Sequence, residues 1–426
     1  MFTFIYNVFT RSLIVLLVAM LGVNYLPENL FHDFPFDPKN VEPVDFDAVK
    51  PQQWNTILSD NNPEFIQLNN ILGPESIAIS NSGLWYTGLA DGRLVELDPS
   101  KNYKLRQVCR VKASPQCEDN VASKADVCGR FLQLRFMNNS LYALDSSTGL
   151  YKVDTVKGSK TYLGPTKPLH KVNMYNSFAF DPKEPNIVYL TLSSSKWHLL
   201  RITWSFLESD TSGELIALDV NTGKRVVMLS NLQIANGVDV DPKRNQLLVV
   251  ELMRSRVHSI NLDDLRSAFK NANDGETVSV QTKPLIPIMP GSPDNIIVHG
   301  DKAYIALPFV KPDGKEFADV LATMPNVRKA MGRFIYGAGT LLQYLCENFY
   351  RHPVLESLYR EMRAGHTIHR LTNNGRSAVL EYDLATGASR LFGSNTFSFV
   401  SEAVPDDKGN LILGSFRSPF IVKVKI

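Results

Sequence analysis

Six stretches of the chain repeat one pattern, and this repetition constrains the fold more than any other feature. Each stretch has a strand of alternating apolar residues, a turn rich in Asp, Asn, Gly or Pro, and a second strand of β-forming residues. The six stretches begin at Glu75, Leu132, Asn176, Asn236, Asn295 and Glu402. One such unit cannot bury both of its faces, so we expect the set to close on itself.

A second turn signal, Asp-x-x-Thr-Gly, lies between these stretches at Asp145, Asp219 and Asp383. Asp and Gly suit a tight hairpin turn in which the glycine takes the left-handed conformation. Two hairpins in each period of about 60 residues make a four-stranded blade, and six blades arranged radially make a propeller. The sequence therefore predicts an all-β, six-bladed β-propeller over residues 61–426, entered through a linker at residues 28–60.

Residues 316–365 interrupt the repeat between its fifth and sixth copies. Their apolar residues follow helical spacing, at Val327, Met331, Phe334, Ile335, Ala338, Leu341, Leu342, Leu345 and Phe349. Two interpretations are open. The insertion forms a helical lid or membrane-touching patch beside the propeller mouth, or it packs its apolar face on the propeller.

The N-terminus, residues 1–27, is mostly apolar and predicts a membrane helix. Its one charged side chain is Arg11, and the apolar run from Leu13 to Leu26 is 14 residues long, shorter than the roughly 20 that span a bilayer. The uncharged residues before Arg11 extend it. Positive charge before the run and net negative charge after it orient the N-terminus to the cytosol. The segment is either the signal anchor of a single-pass type II protein or a cleaved signal peptide of a secreted one.

Both interpretations place the rest of the chain in the ER lumen or outside the cell, where disulfides form. Cys117 and Cys128 flank a polar loop and are the expected disulfide, whereas Cys109 and Cys346 either pair or stay free. Asn138 begins an N-glycosylation sequon. With 45 basic and 43 acidic residues, the chain lacks the charge excess typical of nucleic-acid binding.

Residues at equivalent positions of a propeller's repeats form a ring around its central channel. At the start of each first strand, this ring carries Glu75, Leu132, Asn176, Asn236, Asp294 with Asn295, and Ser401 with Glu402. All of these except Leu132 bear side-chain oxygens, which are the hard ligands that calcium prefers. The ring has no Cys or His, which disfavours zinc and copper. The sequence therefore predicts a calcium site at the axis.

Several motifs give the sequence a family resemblance. They are GPES around Glu75, CGR at Cys128–Arg130, SSSKW at Ser193–Trp197, IANGVDV around Asn236, MPGSPDN ending at Asn295, and LGSFRSPF at Leu413–Phe420. From about residue 60 to the C-terminus, the chain resembles the strictosidine-synthase-like family, which is related to paraoxonases and gluconolactonases. This resemblance implies that calcium is held by Glu75, Asn176, Asn236, Asp294 and Asn295.

The sequence also differs from these families at positions that matter for catalytic activity. Strictosidine synthases carry an acid–base glutamate where this chain has Ser401 and Glu402, and a shift of one residue would turn Glu402 to the opposite strand face. Leu132 lies where paraoxonases have a histidine base, and Leu192 lies where close relatives usually have Asp. We therefore do not expect a true strictosidine synthase.

Two functions remain open. The first is a calcium-dependent esterase or lactonase acting on small esters, with Glu402 as a base acting through water. The second is a non-catalytic, membrane-tethered propeller with structural calcium that binds a protein or lipid partner or assists assembly. Association of the family with ester hydrolysis favours the first, and absence of both relatives' bases favours the second.

Overall fold

The computed structural model describes residues 10–11, 14–15, 18–20, 22–45, 54–67, 71–117, 125–310, 320–366 and 375–426. The remaining residues of the expected N-terminal helix (1–27), linker (28–60) and insertion (316–365) lie outside the described residues. The chain divides into two compact units. The helical unit comprises Met1–Pro43, Leu200–Asp210 and Lys315–Asn373, and the sheet unit comprises Val44–Leu199, Thr211–Gly314 and Asn374–Ile426.

The described residues of the sheet unit contain short strands throughout. In chain order they are β1 (Glu64–Gln67), β2 (Ile77–Ile79), β3 (Trp85–Gly88), β4 (Arg93–Asp98), β5 (Lys104–Arg110), β6 (Phe131–Met137), β7 (Ser140–Asp145), β8 (Gly149–Val153), β9 (Lys160–Gly164), β10 (Met174–Phe180), β11 (Ile187–Ser194), β12 (Gly213–Asp219), β13 (Arg225–Leu232), β14 (Ala235–Asp241), β15 (Gln246–Glu251), β16 (Arg256–Asn261), β17 (Lys283–Ile286), β18 (Gly291–Ser292), β19 (Ile296–His299), β20 (Lys302–Leu307), β21 (Phe309–Val310), β22 (Ser377–Asp383), β23 (Ser389–Ser394), β24 (Val400–Pro405), β25 (Asn410–Ser415) and β26 (Phe420–Lys425).

These strands form six four-stranded antiparallel sheets and one two-stranded pair, β18 with β21, within the described residues. Sheet 1 is β2 to β5, sheet 2 is β6 to β9, sheet 3 is β10 to β13, and sheet 4 is β14 to β17. Sheet 5 contains β19, β20, β22 and β23, and sheet 6 contains β24, β25, β26 and β1. The all-β, antiparallel character predicted from the repeats is confirmed.

The six repeated stretches of the sequence form the first two strands of the six sheets. The Asp-x-x-Thr-Gly turns are tight, and Gly149, Gly223 and Gly387 have positive φ angles of 118°, 77° and 75°. Their places in the sheets differ, however. The first turn joins the second and third strands of sheet 2, whereas the other two join the third and fourth strands of sheets 3 and 5.

Sheet 6 joins residues from opposite parts of the sequence. Strand β1 pairs with β26 from Glu64 opposite Lys423 to Gln67 opposite Phe420. The first strands of successive sheets also contact one another, β2 with β6, β6 with β10, β10 with β14, β14 with β19, and β19 with β24, while β25 contacts β2. The order of contacts thus returns to the sheet at which it began.

Neighbouring sheets bury their apolar faces against each other. Tyr189 and Leu215 of sheet 3 lie in one fully buried cluster with Leu247 and Val249 of sheet 4. Burying an aliphatic side chain of this size contributes about 1.5–3 kcal/mol. Because each sheet is apolar on both faces, it needs a neighbour on each side, as expected for the repeats.

The helices are α1 (Ile57–Asp60), α2 (Ala125–Cys128), α3 (Ile202–Glu208), α4 (Leu262–Asn271), α5 (Pro325–Asn348) and α6 (Pro353–Ala364). Short 3₁₀ helices lie at Val23–Tyr25, Glu28–Phe31, Pro99–Lys101, Pro115–Cys117 and Leu199–Arg201. None of the helices in the described part of the chain is both long and apolar enough to cross a membrane.

Two buried arginines of α5 hold the helical unit together. Nη1 of Arg328 donates to the Leu207 carbonyl at 2.9 Å and to Ser209 Oγ at 3.0 Å, and its Nη2 donates to the carbonyls of Lys39 and Ala322. Arg333 pairs with Glu28 and packs its guanidinium on the Phe31 ring. Hydrogen bonds and an ion pair therefore connect the insertion to residues that precede β1.

The structure can be compared with the predictions for the four cysteines and for the glycosylation sequon. Cys117 and Cys128 form a disulfide, as predicted. Cys109 and Cys346 are free and buried, which settles the alternative left open for them. Asn138 is exposed in the turn between β6 and β7, with a φ of 48°, and its glycosylation stays a prediction.

Candidate functional site

The five side chains predicted to hold calcium are all buried at the beginnings of first strands. Glu75 precedes β2, Asn176 lies in β10, Asn236 lies in β14, and Asp294 and Asn295 precede β19. Their exposed fractions lie between 2% and 8%. We call these five residues the candidate centre.

A series of hydrogen bonds connects the segments that carry these residues. Thr191 Oγ1 accepts from the Ser177 amide at 2.9 Å and donates to the Asn236 carbonyl at 2.5 Å. The Gly237 amide donates to the Asp294 carbonyl at 3.1 Å. This part of the series links sheets 3, 4 and 5.

The same series continues through sheet 6 to sheet 1. The Asn295 amide donates to the Ser401 carbonyl at 3.0 Å, and Ser401 Oγ donates to the Glu75 carbonyl at 2.9 Å. Residues that are far apart in sequence are therefore held in one local network. Leu132, the ring position without an oxygen, is buried in sheet 2.

Glycine at position 237 permits the close approach of sheets 4 and 5. A Cβ atom there would lie 2.6 Å from the Ile296 nitrogen, 2.7 Å from the Asn295 Cα and 2.8 Å from the Asp294 carbonyl oxygen. Real Cβ atoms do not approach backbone this closely, so any larger residue would displace the segment that carries Asp294 and Asn295.

Four of the five residues have a buried side-chain oxygen that accepts no hydrogen bond. These atoms are Glu75 Oε2, Asn176 Oδ1, Asn236 Oδ1 and Asn295 Oδ1. Buried polar atoms are almost always paired, because leaving one unpaired costs about 1–3 kcal/mol. Three of these are amide oxygens without a hydrogen-bond donor, and Glu75 Oε2 has only the Arg130 guanidinium as an ion-pair neighbour. Their matching positions in four sheets need a common explanation, and a bound cation is one.

The two carboxylates of the candidate centre influence each other. Burial and the nearby negative charge of Glu75 hold the pKa of Asp294 well above its ordinary range, against a hydrogen bond from the Asn236 side chain. Burial likewise raises the pKa of Glu75, against the positive charge of Arg130. A cation between such groups would relieve both the desolvation and the repulsion.

The candidate centre is not rich in charged ligands. Across the residues that the structure describes, no three His, Cys, Asp or Glu side chains are grouped so as to hold a metal ion. The five residues comprise two carboxylates and three amides. This donor set suits a hard cation that accepts amide oxygens, which calcium does.

Arg130 was not singled out from the sequence, although it ends the CGR motif. Its Nη2 donates to the carbonyls of Gly73 at 3.1 Å and Phe416 at 2.8 Å, and lies 2.9 Å from Glu75 Oε2. Because that nitrogen is directed at the two carbonyls, Glu75 Oε2 has an ion-pair neighbour but no hydrogen bond. Arg130 thus positions Glu75.

Glu402, the predicted base, is fully buried and is hydrogen-bonded across three sheets. Its carboxylate accepts from the Ile77 amide at 2.5 Å, Gln133 Nε2 at 2.9 Å and Ser76 Oγ at 3.3 Å. Burial raises the pKa of Glu402 to about 7, although the Ile77 and Gln133 hydrogen bonds oppose the shift. Its negative charge also acts on Asp294.

The one-residue shift seen in the sequence does not turn Glu402 into solvent. The pairing of β24 with β25 is irregular between Val400 and Glu402, and both Ser401 and Glu402 are completely buried. A bulge of this kind breaks the strict alternation of strand faces. Strands β6, β10 and β14 have irregularities near their beginnings as well.

Two further residues that sequence reasoning missed extend the polar network. Gln133 Oε1 accepts from Ser177 Oγ at 3.2 Å, so one amide links Glu402 to sheet 3. Arg135 donates to Asp239 Oδ1 at 2.9 Å, and the other oxygen of Asp239 accepts from the Val298 amide at 2.7 Å. Gln133 and Arg135 both lie in the segment RFLQLR at residues 130–135. From the sequence alone, only Leu132 was considered there, at the position of the paraoxonase histidine.

Two segments of the chain match known protein families. The strictosidine synthase family matches residues 176–263, and a family described as strictosidine synthase-like, N-terminal, matches residues 55–97. The resemblance to the strictosidine-synthase-like family is confirmed.

Two known proteins are similar to this chain over most of its length. An adipocyte plasma membrane-associated protein of Gallus gallus is 27% identical over 429 residues, covering 98% of this chain and 90% of that protein. Strictosidine synthase-like 2 of Arabidopsis thaliana is 26% identical over 377 residues, covering 85% and 90%. Among solved structures, a luciferin-regenerating enzyme is 11% identical with a TM-score of 0.48, covering 86% of this chain and 96% of that one.

Proposed function

We propose that the chain is a membrane-associated, six-bladed β-propeller that binds calcium at its axis and hydrolyses small esters or lactones. Closure into a propeller is supported by the cyclic order of contacts between the six sheets and by the pairing of β1 with β26. A last sheet completed by a strand that precedes the first repeat joins the two ends of the ring through backbone hydrogen bonds.

The four buried side-chain oxygens that accept no hydrogen bond are the observation that carries the calcium proposal. Glu75, Asn176, Asn236 and Asn295 would supply these oxygens, and Asp294 would supply a second carboxylate. Bound calcium would contribute positive charge that polarises an ester carbonyl. Arg130 would keep the Glu75 carboxylate directed toward the ion by holding its flanking loop through Gly73 and Phe416.

Glu402 is the proposed base for hydrolysis. A carboxylate with a pKa of about 7 is half ionised near neutral pH, which is where a base combines proton affinity with availability. Its charge acts on Asp294, so the group belongs to the same electrostatic environment as the candidate centre. In this role Glu402 would accept the proton of the attacking water.

A second candidate function is a non-catalytic propeller that uses calcium to brace its blades. The observation favouring it is that three donors from two neighbouring sheets occupy the Glu402 carboxylate, while Leu132 replaces the histidine base of paraoxonases. A carboxylate held in this way stabilises the packing of blades 6, 1 and 2. Such a protein would act by binding a partner.

Membrane association is proposed from the apolar N-terminus and from the Gallus gallus relative, whose name describes a plasma membrane-associated protein. The chain would be a type II protein with the propeller in the ER lumen or outside the cell. The exposed turn position of Asn138 is compatible with glycosylation there.

The experiment that separates the two functions assays the full chain on phenyl acetate and a small lactone, with calcium and with chelator. Turnover that needs calcium and is lost in Asn236→Ala supports the hydrolase. Calcium binding that stabilises the protein without any turnover supports the second function. Asn221→Ala, an exposed turn residue, is the matched control and should keep both properties.

A further inference from the structure

Helix α5 has its polar and apolar residues on unexpected faces. Its buried residues are Arg328, Ala330, Gly332, Arg333, Tyr336, Gly339 and Cys346. Leu341, Tyr344 and Leu345 of the helix, by contrast, are exposed, as is Phe349 directly after it. A helix at a water-exposed protein surface normally shows the opposite distribution. The second half of α5 thus directs its apolar side chains outward.

The exposed apolar residues continue around the turn into α6. We call the set the apolar tip: Leu341, Tyr344, Leu345, Phe349, Tyr350, Val354 and Leu358. At its end Phe349, Tyr350 and Val354 are 74%, 66% and 65% exposed. Large apolar side chains this exposed in one short segment are typical of an interaction surface.

The two helices form a firm support for the apolar tip. A Cβ atom on Gly339 would lie 2.9 Å from the Met362 Cβ, so the helices touch closely at this point. Tyr359 OH donates to Glu347 at 3.3 Å, and Arg363 donates to Gln343. The tip is therefore presented by a preformed helical hairpin.

Outward apolar residues are concentrated in the helical unit. Of the 20 exposed large apolar side chains in the described residues, 15 belong to the helical unit and 5 to the larger sheet unit. Those of the helical unit include Ile14, Val15 and Val18, which lie in the N-terminal apolar run. One compact unit thus carries both the apolar N-terminal residues and the apolar tip.

We propose that the apolar tip inserts into the headgroup region of a phospholipid bilayer, as a second membrane contact beside the N-terminus. Its charge and composition fit a bilayer. Arg351 is the only Lys, Arg, Asp or Glu in residues 349–354, and it is exposed. A cation there complements lipid phosphates, and aromatic residues such as Tyr344 and Tyr350 favour the membrane interface.

Two acidic residues, Glu347 and Glu356, lie among the residues of the apolar tip, and Glu347 is hydrogen-bonded within the hairpin. Glu347 accepts hydrogen bonds from Gln343 and Tyr359, which hold its carboxylate on the hairpin itself. An apolar surface of this size gives only reversible membrane binding by itself. Joined in one unit to an N-terminal anchor, it would bind the same bilayer at high effective concentration and fix the orientation of the helical unit.

The test uses the full chain reconstituted in phosphatidylcholine vesicles that contain phosphatidylglycerol and a nitroxide-labelled lipid. An NBD fluorophore is attached to Val354→Cys and, as a matched control, to Val156→Cys, which is 86% exposed in the sheet unit. Labelling is selective because Cys109 and Cys346 are buried and the other two cysteines form a disulfide.

We expect blue-shifted emission and several-fold stronger lipid quenching at position 354 than at position 156. We also expect this difference to be lost when Leu345→Ser and Phe349→Ser are added. These two side chains are exposed, so their removal leaves the hairpin packing intact. Equal quenching at both positions would overturn the proposal. A blue shift without lipid quenching, together with a doubled mass, would show instead that a second copy covers the apolar tip.

Discussion

The side chains of Gln133 and Glu402 form a hydrogen bond of 2.9 Å, although 269 positions separate them in the chain. Ile77 and Ser76 donate to the same carboxylate, so it joins sheet 6 to sheets 1 and 2. Because the Glu402 side chain is completely buried, its ionisation should be visible in the stability of the fold.

Replacing Glu402 by Gln should change how stability depends on pH. The pKa of Glu402 is raised from 4.5 to about 7, so its protonated form is favoured by folding. The stability that the protonated carboxyl group contributes to the folded chain is fully present below pH 4.5 and is lost as the pH rises through 7. Over that interval Glu402→Gln should gain up to about 3 kcal/mol relative to the natural chain.

Urea unfolding at pH 5 and pH 8, with chelator present to exclude metal, measures this change. Glu184→Gln, in an exposed turn, is the control and should follow the natural chain at both pH values. If the difference between Glu402→Gln and the natural chain is the same at pH 5 and pH 8, the carboxylate does not titrate in this interval.

Removal of calcium should lower the melting temperature of the natural chain, because an ion that binds only the folded state stabilises it. At a calcium concentration 100 times its Kd, the stabilisation is about 2.7 kcal/mol. Asn176→Ala should reduce the difference between calcium and chelator. Its stability in chelator should change little, since Oδ1 of Asn176 has no hydrogen bond to lose. A melting temperature indifferent to chelator would exclude the calcium proposal.

Gly237→Ala should damage the candidate centre through the backbone. The added methyl group would collide with backbone atoms of Asp294, Asn295 and Ile296, at a cost of about 1–3 kcal/mol. We expect a lower unfolding free energy and a weaker response to calcium. Gly337→Ala is the control, because its nearest neighbouring atom is 3.8 Å away and stability should not fall. Equal effects of both substitutions would contradict the close approach of sheets 4 and 5.

The thiols should be unreactive in the folded protein. Cys109 and Cys346 are buried, and burial raises the pKa of Cys109 to about 11, so little thiolate is available. Titration with a chromogenic disulfide should detect no thiol in the native chain and two in denaturant. Four thiols in denaturant without reductant would instead mean that Cys117 and Cys128 are not bonded.

The repeated strands could be predicted from the sequence because their pattern is local. Alternating strands and Asp-rich turns recur within each period, and Asn176 and Asn236 lie near the beginnings of β10 and β14. The place of Glu402 could not be derived in this way. It depends on an irregularity in the pairing of β24, which alters the strand faces without any distinct residue pattern.

Long-range polar contacts could not be predicted from the sequence either. Arg130 bonds the carbonyls of Gly73 and Phe416, and backbone carbonyls leave no trace in residue type. For α5, helical spacing identified the apolar stripe, but it did not show whether that stripe is buried or exposed. Arg328 is buried with four oxygens as partners, three of them from distant segments, and periodicity cannot reveal such partners.

The pairing of β1 with β26 has a consequence for how the chain is made. A ribosome releases the segment with β1 long before it produces β26, and Asn61 must wait for Lys425, 364 positions later, to accept its hydrogen bond. Throughout translation, β1 lacks the neighbour it will have in the finished molecule, and its open edge can recruit strands of other nascent chains. The edge of β1 that β26 covers therefore stays exposed until the last residues of the chain have been made.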